Sequence, residues 1–171
     1  MAIQPAKEYD RESAVQYARK WAFDRNPEWG DFETMGGDCT NFTSQVLYAG
    51  GASFNIDSDY GWYYKNLDNR APAWSGVEAL HEFLISNKTG NGPMAVPIAL
   101  KDVEKGDIVQ LRFQGNDRFS HSLVVTDLGR PVGSNNLFTV GITTHSLDSR
   151  SRPLGTYSFA EMRPLHITGV R

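Results

Sequence analysis

The sequence predicts an α+β fold, in which N-terminal helices pack on an antiparallel β-sheet. Helical hydrophobic patterns occupy the first half of the chain, and short β-rich runs between turn signals occupy the second half. Helices followed by strands are typical of α+β domains. The chain has 171 residues and is 40% hydrophobic, so we expect residues 1–171 to form one domain around its own core.

Three segments have the spacing of amphipathic helices: residues 10–23, 39–49 and 75–87. Asp10 is the predicted N-cap of the first helix. Gly50 is predicted to end the second. In the third, Ser75 and Glu78 have the spacing of a capping box.

After Pro97 the pattern changes to short runs that are typical of strands: DIVQLRF, FSHSLVVTD, LFTVGITTH and PLHITGV. The segment GRPVGSNN, between the second run and the third, is predicted to be a hairpin loop. These two runs should therefore be neighbouring antiparallel strands.

Charge and hydropathy exclude several classes of partner. Lys and Arg number 17 against 20 Asp and Glu, so there is none of the basic excess that is typical of nucleic-acid-binding proteins. No run of eighteen apolar residues is present, so we expect no membrane span. The N-terminal segment MAIQPAKEYDRES lacks the apolar stretch of a signal peptide.

The single cysteine, Cys39, is the candidate nucleophile. It follows two glycines and Asp38, at the predicted start of the second helix. Unpaired N–H groups and the helix dipole favour a thiolate there, and the same N–H groups can stabilise an oxyanion. Asp38 is predicted to cap the helix. The alternative is that Cys39 is a small buried core residue.

His121 is the candidate general base, because it begins an apolar run that should be a central strand and would hold it rigidly. A base also needs an orienting partner. His145, which ends the neighbouring run, is the preferred partner, since both histidines would lie at one end of the sheet. Asp148 is the rival, unless it pairs with an arginine of its own loop.

Two other classes of function remain open. Cys39, His121 and His145 have the residue types of an open zinc site, although no ligand pair has zinc-site spacing. The chain could also be a non-catalytic wall-binding module. We expect an enzyme without metal or other cofactor.

The segments GGDCTNFTSQVLYAGG, APAWSGVEALHEFL, GDIVQL, FSHSLVVTD and THSLDSRSRPL, in this order, resemble the bacterial putative amidase domain family, related to the papain-like CHAP and NlpC-type cell-wall peptidases. The resemblance implies a papain-like (NlpC-type) fold and amide hydrolysis, usually in peptidoglycan. It implies that Cys39, His121 and His145 are catalytic, with Asp38 beside the nucleophile.

Which amide bond is cleaved stays open between the muramoyl-L-alanine bond and a bond of the stem peptide. The resemblance is equally compatible with a phage endolysin, a remodelling enzyme or an antibacterial effector, which would have an inhibitor or immunity protein as a partner. In each case the protein would act on the cell wall outside the cytoplasm, after export or lysis. An aromatic-rich loop is the predicted substrate wall, through Trp62, Tyr63, Tyr64 and Trp74.

Overall fold

The computed structural model describes residues 5–57, 59–131 and 133–171. Its helices are α1 (Arg11–Trp21), α2 (Cys39–Ala49), α3 (Pro72–Ser75) and α4 (Val77–Ser86). Its strands are β1 (Tyr64–Asn66), β2 (Asn69–Arg70), β3 (Pro93–Pro97), β4 (Ile108–Arg112), β5 (His121–Leu128), β6 (Val140–Thr144), β7 (Ser149–Pro153) and β8 (Glu161–Val170). Short 3-10 turns occur at Glu33–Met35, Leu100–Asp102 and Leu154–Thr156. Within these ranges no helix has the length and apolar character that crossing a membrane requires.

The main sheet has six antiparallel strands in the order β3-β8-β4-β5-β6-β7, and β1 and β2 form a separate hairpin. The α+β prediction is confirmed. The prediction that the second and third runs are neighbours is also confirmed, because β5 pairs with β6 with Val124 opposite Thr143. The strands β3 and β7 lie at the two edges of the sheet and were missed, because β3 begins and ends with proline and β7 is the polar segment SRSRP.

Both faces of the sheet are buried. The helix face includes Ile108, Val124 and Leu165, which pack in one core with α1, α2 and α4. The opposite face includes Val109 and Leu123, which pack under loops and the 3-10 turns. Burial on both faces explains why the strand sequences are nearly continuous apolar runs rather than clean alternations.

The first two helices follow their sequence signals. The Asp10 side chain accepts a hydrogen bond from the Ser13 backbone N–H, which confirms the predicted cap. Helix α1 ends at Trp21, two residues before the predicted end. Helix α2 has the predicted bounds, and the N–H of Gly50 bonds the Val46 carbonyl at its end.

The third helix differs from its prediction. Ser75 ends the short helix α3, and α4 begins at Val77 behind Gly76, with no side-chain cap. The capping box is therefore wrong. The carboxylate of Glu78 instead accepts hydrogen bonds from the Phe119 backbone N–H and the Arg163 guanidinium, at 2.9 and 3.0 Å, and these partners are remote in the sequence.

Candidate active site

Cys39 is the first residue of α2, and its side chain is buried, with 6% of its surface exposed. Its sulfur lies 3.7 Å from the Thr40 hydroxyl. The backbone N–H groups of Ser122 and Thr40 also act on the sulfur and favour its thiolate form. The thiol therefore lies where α2 meets the start of β5, beside the residue that follows His121.

The predicted lowering of the Cys39 pKa is wrong for this structure. Burial is the largest effect and raises the pKa of the thiol above its ordinary value, and the charge of Asp38 also raises it. The Ser122 N–H and the Thr40 hydroxyl and N–H oppose this shift without reversing it. At neutral pH the resting side chain is a thiol, so a nearby base has to take its proton before it can attack.

His121 begins β5, as predicted, and borders a cavity of about 340 Å³. The other residues that line the cavity are Glu33, Phe113, Ser146, Leu147, Arg152, Tyr157 and Ser158. The ring centroid of His121 lies 6.0 Å from that of Phe113 and 5.9 Å from that of Tyr157. Its imidazole makes no hydrogen bond within the described part of the chain, so no side chain fixes its tautomer.

Burial, with a smaller contribution from the positive charge of Arg152, lowers the pKa of His121 from its ordinary value of 6.5 to about 4. Only 6% of the surface of His121 is exposed. The imidazole is therefore neutral at neutral pH and has a free ring nitrogen that can accept a proton.

His145 lies at the same end of the sheet as His121, but its side chain points to the other face. Continuing the register of Val124 with Thr143 places His145 opposite Ser122, on the helix face. There the ring of His145 stacks on Phe42, with centroids 4.0 Å apart. His121, one residue earlier than Ser122, has the opposite side-chain direction.

The predicted hydrogen bond between His145 and His121 is therefore wrong. The Nδ1 of His145 bonds the Asp38 carboxylate at 2.5 Å, and its Nε2 donates to the Trp21 carbonyl at 2.7 Å. Both ring nitrogens are engaged and the side chain is buried. A role of His145 in catalysis stays a prediction, and any such role would act through Asp38.

Asp38 does not cap α2, so that prediction is wrong too. Its carboxylate accepts hydrogen bonds from the Phe32 N–H and the Asn41 side-chain amide, both at 2.8 Å, and bonds His145. Because the carboxylate makes no hydrogen bond to the backbone of α2, it leaves the backbone N–H groups of the first turn of that helix uncapped.

Asp148 does not contact His121, nor an arginine of its own loop. Its two carboxylate oxygens accept hydrogen bonds from Arg25 at 2.8 and 3.1 Å. Arg25 also lies 3.5 Å from the Asp38 carboxylate. Asp148 therefore anchors the loop after β6 to the segment that follows α1.

Two residues beside the site carried no signal in the sequence. The hydroxyl of Tyr157 is buried, and the guanidinium of Arg152 lies 3.8 Å from the centroid of its ring. The Ser146 hydroxyl accepts the Asp38 N–H at 2.8 Å, and both Ser146 and Leu147 have positive φ angles, 60° and 66°. This strained turn borders the His121 cavity.

The two tryptophans predicted to bind substrate belong to the core, and that prediction is wrong. Trp62 and Trp74 have no exposed surface. The indole N–H of Trp62 bonds the Ser44 hydroxyl, and that of Trp74 bonds the Asn41 side-chain oxygen. Both rings belong to the core that also contains the apolar residues of α2 and α4, so they cannot contact a substrate in the folded protein.

The two tyrosines of the same segment lie nearer the surface. Tyr63 is 8% exposed. Tyr64 is partly exposed, and its hydroxyl accepts the Gly30 N–H at 2.8 Å. Tyr64 and Trp29 line an open groove of about 640 Å³ between the β1–β2 hairpin and the loop after α1. A substrate role for Tyr63 and Tyr64 stays a prediction.

The zinc interpretation requires three side chains to converge, and they do not. Both ring nitrogens of His145 bond other groups on the helix face, whereas His121 points to the opposite face. Nowhere in residues 5–57, 59–131 and 133–171 do three or more His, Cys, Asp or Glu side chains form a group that could hold a metal ion. A zinc site made by Cys39 with both histidines does not fit this arrangement.

The chain is similar to known proteins over nearly its whole length. It is 32% identical, over 149 residues, to the uncharacterized protein YhbB of Bacillus subtilis (strain 168). That match covers 86% of this chain and 44% of YhbB, so this chain spans less than half the length of that relative. No solved structure matches the present chain. The model of the "Putative amidase domain" family matches residues 8–168, and the chain therefore belongs to that family, whose description indicates hydrolysis of amides.

Proposed function

We propose that the protein is a cysteine-dependent amide hydrolase of papain-like fold, with Cys39 as nucleophile and His121 as general base. One observation carries the proposal: the sulfur lies at the start of α2, beside the backbone N–H of Ser122, the residue that follows His121. The chemistry needs a helix-borne thiol within reach of a strand-borne imidazole, and the closeness of the sulfur to the start of β5 is compatible with that arrangement. The membership of an amidase family supports it.

The protonation states of Cys39 and His121 favour transfer of the thiol proton during the reaction over a thiolate–imidazolium pair formed in advance. The Cys39 pKa is raised by burial, and the His121 pKa is lowered by burial to about 4, so both side chains are neutral at pH 7. We propose that the Cys39–His121 hydrogen bond forms in the substrate complex, since such bonds are often long or misaligned in free enzymes. The unpaired imidazole is free to make it.

In the proposed cycle, His121 takes the thiol proton and the sulfur attacks the carbonyl carbon. Uncapped N–H groups of the first turn of α2 stabilise the oxyanion. The C–N bond then breaks as His121 returns the proton to the leaving amine, which leaves a thioester on Cys39. Water attacks the thioester and loses a proton to His121. The C–S bond breaks, and His121 reprotonates the thiol.

Asp38 and His145 have a supporting role in this proposal. Their buried hydrogen bond joins the residue before Cys39 to the end of β6, and His145 also holds the end of α1 through the Trp21 carbonyl. The pair fixes the approach to the nucleophile without touching the reacting atoms. Asp148 supports the same region indirectly, through Arg25.

The proposed substrate is a peptidoglycan amide, either the muramoyl-L-alanine bond or a bond of the stem peptide. The reason is the resemblance to cell-wall peptidases together with the shape of the site: a cavity at His121, and a groove with Tyr64 and Trp29 at its wall. Aromatic faces in an open groove suit sugar rings and peptide planes. The enzyme would act on the wall outside the cytoplasm.

Digestion of purified peptidoglycan, followed by mass spectrometry of the fragments, tests both parts of the proposal. We expect the wild type to release new amino ends, whose position in the stem identifies the bond. Cys39→Ala and His121→Ala should abolish release, whereas His81→Ala, a change of a partly exposed histidine on α4, should not. Activity that survives in Cys39→Ala would refute the mechanism.

Inhibition separates the cysteine mechanism from metal-dependent hydrolysis. Iodoacetamide should inactivate the enzyme with one adduct on Cys39, whereas EDTA should leave the activity unchanged. A slow substrate should accumulate as an acyl adduct on the same residue. Loss of activity with EDTA and recovery with zinc would favour a metalloenzyme.

A further inference from the structure

A chain of buried polar side chains leads from the Cys39 sulfur to Arg163, a partly buried arginine. The Thr40 hydroxyl lies 3.7 Å from the sulfur and 3.0 Å from the Ser122 hydroxyl. The Gln110 amide nitrogen lies 3.1 Å from the same Ser122 hydroxyl, and its amide oxygen lies 2.8 Å from Nε of Arg163. Thr40, Ser122 and Gln110 have no exposed surface.

The direction of every hydrogen bond in this chain follows from Arg163. A guanidinium only donates, so the Gln110 oxygen accepts from it and the Gln110 amide nitrogen has to face the other way. The Val77 carbonyl accepts from that nitrogen at 3.0 Å, which requires the same orientation. Arg163 is itself held in place by an ion pair with Glu78 and by the ring of Phe119.

For the remaining two contacts either atom could be the donor, and one arrangement gives every hydroxyl proton of this chain an acceptor. Ser122 accepts from the Gln110 amide, so its hydroxyl proton goes to its other partner, the Thr40 oxygen. The Thr40 proton then goes to the partner that remains, the Cys39 sulfur. In this arrangement each group donates a hydrogen bond to the next group nearer the thiol, and the Cys39 sulfur is the final acceptor.

We propose that this chain, here called the donor relay (Arg163, Gln110, Ser122 and Thr40), holds the Thr40 hydroxyl as a hydrogen-bond donor to the Cys39 sulfur and so stabilises the thiolate. Arg163, Gln110 and Ser122 are positioning residues that act through Thr40. The inference rests on the proposed function only in taking Cys39 as the nucleophile. The donor relay would offset part of the rise that burial causes in the pKa of the Cys39 thiol, because hydrogen-bond donors to the charged form favour that form.

Other titratable groups surround the thiol and act independently of the donor relay. Asp38 precedes it on the same turn, and its charge disfavours the thiolate. His121 begins the adjacent strand, and Tyr157 is close enough to Cys39 for their charges to interact. Arg152 stacks over Tyr157. The variants that test the relay leave all four unchanged.

The test measures the rate of iodoacetamide alkylation of Cys39 against pH in the full chain. Thr40→Val keeps the side-chain shape and removes the donor. A hydrogen bond to a charged group corresponds to about tenfold in an equilibrium constant, and the 3.7 Å contact is long, so we expect the alkylation midpoint to rise by about 0.5 to 1 pH unit. Thr40→Ser should restore it.

Thr43→Val is the matched control, because Thr43 is a buried threonine of the same helix whose hydroxyl bonds the Cys39 carbonyl at 2.9 Å. Its midpoint should match the wild type. Gln110→Glu is the second probe: a carboxylate still accepts from Arg163, but it draws the Ser122 proton to itself and turns the donor relay away from the sulfur. Its midpoint should rise as in Thr40→Val.

An unchanged midpoint in a folded Thr40→Val protein would overturn the inference, as would an equal rise in Thr43→Val. If Thr40→Val does not fold, the midpoint of Gln110→Glu decides in the same way. The readout needs no hydrolysis, so it is separate from the proposed function. Activity that persists in Cys39→Ala would refute the mechanism, whereas a normal midpoint in the Thr40 and Gln110 variants would refute only the donor relay.

Discussion

The buried, neutral state of His121 predicts a specific acid sensitivity of the fold. Burial lowers the pKa of His121 from 6.5 to about 4, so the native state binds fewer protons than the unfolded state between these values. Its contribution to stability is fully present above pH 6.5 and is lost as the pH falls toward 4.

The size of the effect follows from the shift itself. Each pKa unit corresponds to about 1.4 kcal/mol, so His121 should cost the native state about 2 kcal/mol at pH 5 and about 3 kcal/mol at pH 4, relative to pH 7. Other groups also titrate over this range. The contribution of His121 is therefore obtained as a difference between the wild type and His121→Gln, which has a side chain that does not titrate.

Urea denaturation of both proteins at pH 7, 6, 5 and 4 measures that difference. We expect the free energy of unfolding of the wild type to fall faster than that of His121→Gln, by about 3 kcal/mol over the whole range. His81→Gln is the control, since His81 is only partly buried. It should follow the wild-type curve more closely.

A second observable checks the same quantity directly. The NMR titration of the His121 ring should show a midpoint at about pH 4. A midpoint near 6.5, or a stability difference that stays constant between pH 7 and pH 4, would refute the argument. Either result would mean that His121 is hydrated in the native state and is not held neutral by burial.

Three further changes should lower the free energy of unfolding, two of them strongly and one weakly. His145→Ala removes the 2.5 Å partner of the buried Asp38 carboxylate, and urea denaturation should show a loss of about 3–5 kcal/mol. Asp148→Asn weakens a partly exposed pair with Arg25, so the loss should be below about 1 kcal/mol in the same assay. Trp74→Ala deletes a fully buried core ring and should cost about 3–5 kcal/mol. The KM of its folded fraction should be unchanged, and a raised KM would restore the substrate role of Trp74.

Local patterns predicted the elements whose causes are local. Helix α2 was predicted to its end residues, because its apolar stripe and the glycine after it lie within one short segment. The pairing of β5 with β6 was predicted because one loop joins them. The predicted start of the third helix was wrong. Glu78 does not form the capping box, because its carboxylate bonds Phe119 and Arg163, which are distant in the sequence and lie near Glu78 only in the folded sheet.

The errors at the candidate site share a physical cause. Placing His121 and His145 at the same end of the sheet was right, but side chains alternate between faces, so a register offset of one residue puts them on opposite sides. Trp62 and Trp74 have the residue type of a sugar-binding wall, yet burial in the helical core assigns them to packing. Residue type indicates possible chemistry, and the direction of the side chain decides whether it is available.

The sequence by itself determined the α+β class, the family resemblance, and the position of Cys39 at a helix start and of His121 at a strand start. The class and the resemblance depend on the order of patterns along the chain, and the two positions depend on spacing within one element. Only the tertiary structure decided the His145–Asp38 bond, the directions of the pKa shifts and the donor relay. Thr40 and Ser122 are 82 positions apart along the chain. Contacts of this kind depend on strand register and burial, which no local pattern of residues specifies.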